Sequence, residues 1–182
     1  MLNLPNLLSI FRILLVPLLV VVLLTEIEGK EFIGLGVFLL ASLTDFLDGF
    51  IARRRSQVTN LGKLLDPAAD KILTSAAFIS LVGLGLAPAW IVVVVVAREF
   101  AVSALRSLAA SQNVVLAAGG SGKAKTVSQI VAISLLIVSG HLGELHLLAP
   151  IALWVALFLT IYSGIEYFAK FGRQVLTEET SS

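Results

Sequence analysis

Long apolar runs constrain the fold of this chain more than any other feature of its sequence. Six of them approach or reach the length needed to cross a bilayer, which is about 20 mostly apolar residues. They cover residues 7–24, 32–51, 68–86, 88–110, 126–140 and 147–168. Because a backbone inside lipid must satisfy its own hydrogen bonds, each run is expected to be helical. The sequence therefore predicts an all-α, polytopic membrane protein with six transmembrane helices.

The composition agrees with a protein that has lipid as its main solvent. Of the 182 residues, 58% are hydrophobic and 14% are charged, whereas soluble domains have about 45–50% apolar and about 25% charged residues. The absence of cysteine excludes a disulfide framework, thiolate catalysis and Cys-ligated zinc. A net charge of +1 gives no general attraction to nucleic acid. We expect one membrane domain over residues 1–182.

Basic residues are concentrated on one side of the predicted six-span topology. That side holds the second and fourth connections and both termini, and the opposite side has only Lys30 among several glutamates. The basic residues on the first side are Arg53, Arg54, Arg55, Lys63, Lys71, Lys123, Lys125, Lys170 and Arg173. Because Lys and Arg favour the cytoplasmic side, we expect a multi-pass protein of the inner membrane with both termini in the cytoplasm.

Four aspartates lie where the second predicted span ends and the third begins. Asp45 and Asp48 are three residues apart, and Asp66 and Asp70 are four apart. Each spacing places a pair on one helix face. A charge inside a span costs roughly 2.5–3.5 kcal/mol, so such residues are seldom incidental. We expect the four carboxylates to converge at one point of the cytoplasmic membrane interface.

Four converging carboxylates repel one another unless cations lie between them. Oxygen ligands of this kind suit Mg²⁺ or Mn²⁺, and a pair of such ions suits displacement at phosphorus. The alternative is that the aspartates cap helices or pair with nearby Arg and Lys side chains. Small residues and one arginine between the two pairs could form the wall of a nucleotide-diphosphate pocket. These residues are Gly49, Ala52, Arg53 and Gly62.

Together these residues form one continuous pattern. It reads Asp45-x2-Asp48-Gly49-x2-Ala52-Arg53-x8-Gly62-x3-Asp66-x3-Asp70. This pattern resembles the signature of the CDP-alcohol phosphotransferase family. The resemblance implies six transmembrane helices, a homodimer and a polar cavity at the cytoplasmic surface. It also implies transfer of a phosphatidyl or similar group from a CDP-linked donor to an alcohol, with release of CMP.

The resemblance also implies a role for each matching residue. Two divalent cations would be held by the four aspartates, Asp45, Asp48, Asp66 and Asp70, and Asp70 would also be the general base. The donor CDP-diacylglycerol would be bound by Asn6, Gly49, Ala52, Arg53, Thr59 and Gly62.

The acceptor must be inferred from the rest of the chain. Residues 3–12, 97–106, 122–129 and 163–167 resemble the members of the family that use glycerol 3-phosphate. An acceptor with its own phosphate needs a second cationic cluster. The predicted cluster consists of Arg106, Lys123 and Lys125. The alternative is that these residues only set the topology or bind anionic head groups.

Two further expectations complete the interpretation. Arg98 and Glu99 are adjacent in sequence and are expected to face apart. No Ser–His or Cys–His pair offers a covalent route, so direct displacement is expected.

The alternatives to this function are the same chemistry with inositol phosphate or phosphatidylglycerol as the acceptor, or a small cation transporter. A transporter predicts acidic residues at several membrane depths, whereas the four aspartates lie near one face.

Overall fold

The described part of the chain is helical throughout its regular structure. A computed structural model describes the backbone of residues 4–55, 60–111 and 120–179, and the side chains of residues 7–44, 68–111 and 120–174. Two short 3-10 helices, Ser139–His141 and Gly143–Leu147, precede the last long helix. The six α-helices are α1 (Leu4–Leu24), α2 (Lys30–Arg55), α3 (Asn60–Gly83), α4 (Ala89–Ser111), α5 (Gly120–Ile137) and α6 (Leu148–Glu179). The all-α prediction is confirmed for these residues.

Several helices extend beyond the apolar runs that predicted them. Helix α3 begins at Asn60 rather than at residue 68, and α6 continues to Glu179 rather than ending at 168. Backbone hydrogen bonding continues into polar sequence, which hydropathy does not register. As a result, Asp66 and Asp70 belong to turns inside α3 and not to its first turn.

A tight turn reverses the chain between α3 and α4. Gly85 has a φ of +71°, a conformation that glycine adopts without a steric penalty. Its N–H donates to the Val82 carbonyl at 3.0 Å, and the Leu86 N–H donates to the Leu81 carbonyl at 2.9 Å. This pair of bonds is a Schellman motif, which satisfies carbonyls left open at the end of α3. The turn makes α3 and α4 antiparallel neighbours.

Apolar packing dominates the end of the bundle that contains this turn, here called the turn half. Helix α1 packs on α2 and α3, α6 packs on α4 and α5, and α5 also contacts α2 and α3. The largest apolar side chains at this end are almost completely enclosed. They include Leu19, Phe38, Phe78, Ile91 and Ile133. Close packing of this kind fixes the relative positions of the helices.

The opposite end of the bundle, here called the polar half, buries polar and charged side chains. They include Ser9, Arg12, Glu99, Lys125, Gln129, Thr160 and Ser163. Buried polar groups are costly unless they are hydrogen-bonded. The polar half is therefore the part of the fold where a functional site is expected.

The outer surface of the bundle is strongly apolar. Val93, Phe158 and Ile165 each expose more than three fifths of their side chains. Two segments, Leu7–Leu24 and Gly143–Gln174, are long and apolar enough to cross a membrane. Contiguous apolar surface on this scale is unfavourable in water. These features indicate a membrane protein.

Candidate active site

Helix α3 carries Asp70 and Lys71 side by side in the polar half. Both side chains are half-buried. The Thr74 hydroxyl donates to the Asp70 carbonyl at 3.0 Å and lies 3.3 Å from the Lys71 carbonyl. These bonds keep the polar side chain of Thr74 satisfied within its own helix. Asp70 and Lys71 are thus presented from a regular stretch of helix.

Lys71 lies among charged residues of three helices. It interacts electrostatically with Asp70 on its own helix, with Glu99 and Arg106 on α4, and with Lys125 on α5. Of the predicted acceptor residues, Arg106 and Lys125 therefore lie within electrostatic range of Lys71. From the sequence, Lys71 is expected only to pair with an aspartate or to help set the topology. The cluster formed by Lys71, Arg106 and Lys125 is called the cationic cluster below.

A buried ion pair joins α4 to α5. The Lys125 Nζ lies 2.5 Å from the Glu99 Oε1, and the two side chains are only 7% and 8% exposed. Removing both charges from water is costly, and the cost is recovered only with good geometry and additional hydrogen bonds. Two additional donors reach the same Oε1 atom, namely Arg98 Nη1 at 3.3 Å and Gln129 Nε2 at 3.4 Å.

Further hydrogen bonds extend this ion pair to α6. Gln129 Nε2 donates to the Thr160 Oγ1 at 3.1 Å, and Arg98 Nη2 donates to the Ser163 Oγ at 2.8 Å. The Ser163 hydroxyl in turn donates to the Thr160 carbonyl at 3.1 Å. We call these six residues the buried network: Arg98, Glu99, Lys125, Gln129, Thr160 and Ser163. It connects α4, α5 and α6 at one depth of the bundle.

The expectation that Arg98 and Glu99 face apart is wrong. Although the residues are adjacent, the long Arg98 side chain bends back so that its Nη1 reaches Glu99. Its guanidinium carbon also lies 6.0 Å from the centre of the Tyr167 ring. A Cβ atom on Gly164 would lie 3.2 Å from the Arg98 Cγ. The glycine therefore allows the arginine to pass close to α6.

Lys123 occupies a different environment from Lys125. Two residues apart on α5, the two lysines point to opposite faces of the helix. Lys125 is buried, whereas Lys123 is exposed and lines an outer apolar groove with Val127, Val131 and Val155. The structure therefore places Lys125 and Arg106 within electrostatic range of Lys71 and places Lys123 on another surface.

The remaining predicted site residues lie outside the part of the chain whose side chains are described. Except for Asn6 of α1 and for Thr59, these residues belong to α2 and α3, which contact each other. Among the described side chains no group of three or more potential metal ligands occurs, and these side chains include one of the four aspartates. The residues not described in this way are Asn6, Asp45, Asp48, Gly49, Ala52, Arg53, Gly62 and Asp66, and Thr59 lies outside the described backbone as well.

Two buried residues of α1 were not predicted as part of the polar half. Ser9 and Arg12 lie one turn apart, and neither side chain has any exposed surface. Both take part in polar or electrostatic interactions. Since α1 packs against α3, Arg12 contributes a charge to the interior of the bundle. The sequence feature that could have identified it is an arginine in the first half of an apolar run.

Comparison with known proteins identifies the family. The model of the CDP-alcohol phosphatidyltransferase family matches residues 2–162. A Bacillus subtilis (strain 168) relative, named CDP-diacylglycerol–glycerol-3-phosphate 3-phosphatidyltransferase, is 46% identical, with 93% of this chain and 95% of the relative covered.

Two further relatives agree. A Rickettsia bellii protein of the same name is 38% identical, with 91% of this chain and 93% of the relative covered. A Mycobacterium tuberculosis (strain CDC 1551) protein named probable phosphatidylglycerophosphate synthase is 35% identical, with coverage of 95% and 83%. The chain therefore belongs to the CDP-alcohol phosphatidyltransferase family of enzymes.

Proposed function

We propose that this enzyme transfers the phosphatidyl group of CDP-diacylglycerol to the primary hydroxyl of glycerol 3-phosphate. The products are phosphatidylglycerophosphate and CMP. Membership of the family supports the reaction class. Relatives that match more than nine tenths of the chain and carry the name of this reaction support the choice of both substrates.

The observation that carries the acceptor assignment is the cationic cluster beside Asp70. Lys71, Arg106 and Lys125 come from three different helices, and Lys71 interacts electrostatically with both of the others. A phosphate monoester is recognised by several converging cations. An alcohol acceptor without a phosphate needs no such cluster. We therefore assign the acceptor phosphate to Arg106 and Lys125, with Lys71 as an additional ligand and Lys123 as a more distant contributor at the surface.

We propose that Asp45, Asp48, Asp66 and Asp70 hold two divalent cations, Mg²⁺ or Mn²⁺. The donor set fits this role because it consists entirely of carboxylate oxygens, which hard divalent ions prefer. Enzymes of this family generally depend on divalent metals. When bound, the ions would offset negative charge on the diphosphate and on the departing CMP.

We assign the donor to residues between the aspartate pairs and to the start of the chain. Arg53 would donate two parallel hydrogen bonds to phosphate oxygens, and the small residues would allow the nucleotide to approach the backbone. Thr59 and Asn6 would add polar contacts. The full set is Asn6, Gly49, Ala52, Arg53, Thr59 and Gly62.

The proposed chemistry is a direct displacement. Arg106 and Lys125 hold the phosphate of the acceptor and so orient its free hydroxyl. As the hydroxyl oxygen forms a bond to the lipid-bearing phosphorus, the Asp70 carboxylate accepts its proton. The bond from that phosphorus to the bridging oxygen breaks, and CMP leaves with the electron pair.

We further propose that the protein crosses the inner membrane six times as a single domain, with both termini in the cytoplasm. Large apolar side chains exposed on α2 to α5, among them Leu40, Ile79, Val93 and Val127, support this proposal for the four helices between the two clearest spans. The active-site cavity would then open to the cytoplasm. A homodimer is proposed from the family resemblance.

The decisive experiment measures CMP release by the purified protein. The protein, in detergent, receives CDP-diacylglycerol with and without glycerol 3-phosphate, in Mg²⁺, in Mn²⁺ and after removal of divalent ions with a chelator. We expect CMP release only when both substrates and a divalent ion are present. Mass spectrometry should identify the lipid product as phosphatidylglycerophosphate.

Competing acceptors test the specificity of the same reaction. Inositol phosphate and phosphatidylglycerol are supplied at the same concentration as glycerol 3-phosphate. A faster reaction with either of them would replace the proposed acceptor. Turnover that is unchanged after chelation would contradict the two-ion site, and uptake of cations into vesicles without CMP release would favour a transporter.

A further inference from the structure

Apart from Lys125, the buried network has no role in the proposed displacement, yet it concentrates polar groups on one atom. Glu99 Oε1 receives hydrogen bonds from Lys125, Arg98 and Gln129. The two cations and the carboxylate are each about nine tenths buried. An arrangement this costly in a helix bundle calls for an explanation beyond packing.

The charges around this atom do not cancel among the described side chains. The network itself contains two cations, Arg98 and Lys125, and a single carboxylate. Lys71 and Arg106 add two more cations, and Asp70 adds one more carboxylate. Among the described side chains, four cations thus accompany two carboxylates, and this excess suits a ligand with two negative charges, such as a phosphate monoester.

Lys125 depends on Glu99 for its position. Its ammonium group has three donors, of which the bond to Glu99 uses one. Among the described side chains, Glu99 is the one acceptor within hydrogen-bond distance. Without that carboxylate, the buried ammonium would have no partner for its charge, and the lysine side chain would reorient.

We propose that Glu99 is a positioning residue for the acceptor: it holds the Lys125 ammonium in place and oriented toward the acceptor phosphate. This inference rests on the proposed function, since it requires that Lys125 binds that phosphate. Arg98 and Gln129 hold Glu99 in turn, and they connect it to Ser163 and Thr160 of α6. The acceptor site is then supported from three helices.

The test compares the steady-state kinetics of Glu99→Gln with those of the unchanged enzyme. Glutamine keeps the size of the side chain and removes its charge. We expect the KM for glycerol 3-phosphate to rise by about tenfold or more, as for loss of one partner of a buried pair. The KM for CDP-diacylglycerol should stay the same. If Lys125 stayed in place without Glu99, the loss of a nearby negative charge would strengthen binding of the acceptor phosphate and lower the KM for glycerol 3-phosphate. This result would overturn the proposal.

Two matched variants separate positioning from folding. Thr160→Val removes one hydrogen bond of the network without changing its charge, and we expect a lower melting temperature with a much smaller increase in the KM for glycerol 3-phosphate than Glu99→Gln gives. Glu99→Asp restores the charge on a shorter side chain and should recover part of the acceptor affinity. If Glu99→Gln and Thr160→Val lowered the melting temperature alike and left both KM values unchanged, Glu99 would be structural only.

A third variant separates failure of this inference from failure of the proposed function. If Lys125→Ala leaves the KM for glycerol 3-phosphate unchanged, the assignment of the acceptor phosphate is wrong, and the role of Glu99 falls with it. If Lys125→Ala raises that KM and Glu99→Gln does not, only the role of Glu99 is wrong. Glu166→Gln removes a carboxylate from a more exposed ion pair with Lys170 and should change neither KM.

Discussion

The turn half and the polar half are formed by the same helices and are stabilised in different ways. In the turn half, side chains such as Phe38 and Phe78 fill the interior and have no exposed surface. In the polar half, Glu99 and Lys125 are also buried, but their burial depends on hydrogen bonds and on the attraction between their charges. Packing can tolerate many apolar combinations of similar volume, whereas a buried charge fails when its partner is lost. The comparison indicates that the turn half stabilises the fold and that the polar half carries the groups for chemistry.

The largest expected effect belongs to the polar half. Asp70→Asn should lower turnover by at least about a thousandfold, because it removes the base and weakens a proposed metal ligand at once. CMP release gives the measurement. The melting temperature in detergent should change little, because the half-buried Asp70 side chain is replaced by one of the same size. Near-normal turnover would remove Asp70 from its proposed role and weaken the contrast between the two halves.

The next largest effect is expected in the turn half and should be one of stability alone. Phe78→Ala leaves a cavity in the apolar core and should cost about 3–5 kcal/mol of stability. Thermal unfolding in detergent measures the effect, and both KM values should be unchanged in the folded fraction. Phe158→Ala is the control, because that side chain is 67% exposed. A selective change in either KM for Phe78→Ala would show that the two halves are not independent.

The two lysines of α5 sharpen the comparison within a single helix. Lys125→Ala should raise the KM for glycerol 3-phosphate by at least about tenfold, since it removes a buried cation from the acceptor site. Lys123→Ala should change it by about twofold at most, because the side chain is exposed and its charge is screened. Initial rates at varied glycerol 3-phosphate concentration measure both. Equal effects would place the two lysines in one site despite their opposite faces.

The smallest expected effect concerns two glycines of α6. Gly172 has open space around its missing Cβ, so Gly172→Ala should raise stability by up to about 1 kcal/mol through helix propensity. Gly164→Ala should raise stability less or not at all, because the new Cβ would lie 3.2 Å from the Arg98 Cγ. Melting temperatures of the two variants and the unchanged protein, measured under the same conditions, test this difference. An equal increase in both variants would show that Arg98 is free to move away from α6.

The sequence predicted the helices well because apolar content alone determines which segments enter lipid. The six apolar runs each correspond to one of the six helices. The boundaries were less accurate where a helix continues into polar sequence. Residues 60–67 contain Lys63 and Asp66, which lower the hydropathy although the backbone is already helical. The family and the reaction class followed from eight fixed positions, and the comparisons confirm the family.

The buried network could not be predicted because its contacts join residues distant in sequence. Gln129 and Thr160 lie 31 residues apart, and nothing in the pattern pairs them. Arg98 and Glu99 were misjudged because helix geometry fixes Cβ directions, whereas a long guanidinium side chain can bend back along its own helix. Lys123 and Lys125 were grouped by sequence proximity. Their spacing of two residues already indicates opposite helix faces.

The length of α6 has a practical consequence. Its 32 residues correspond to a rod of about 48 Å at 1.5 Å per residue, while the hydrocarbon layer is about 30 Å thick. The final turns, with Lys170 and Arg173, would rise well clear of the lipid into the cytoplasm. In the proposed topology, a soluble reporter fused after Ser182 would be carried on a stalk above the bilayer and would leave the proposed active-site cavity open to small polar substrates.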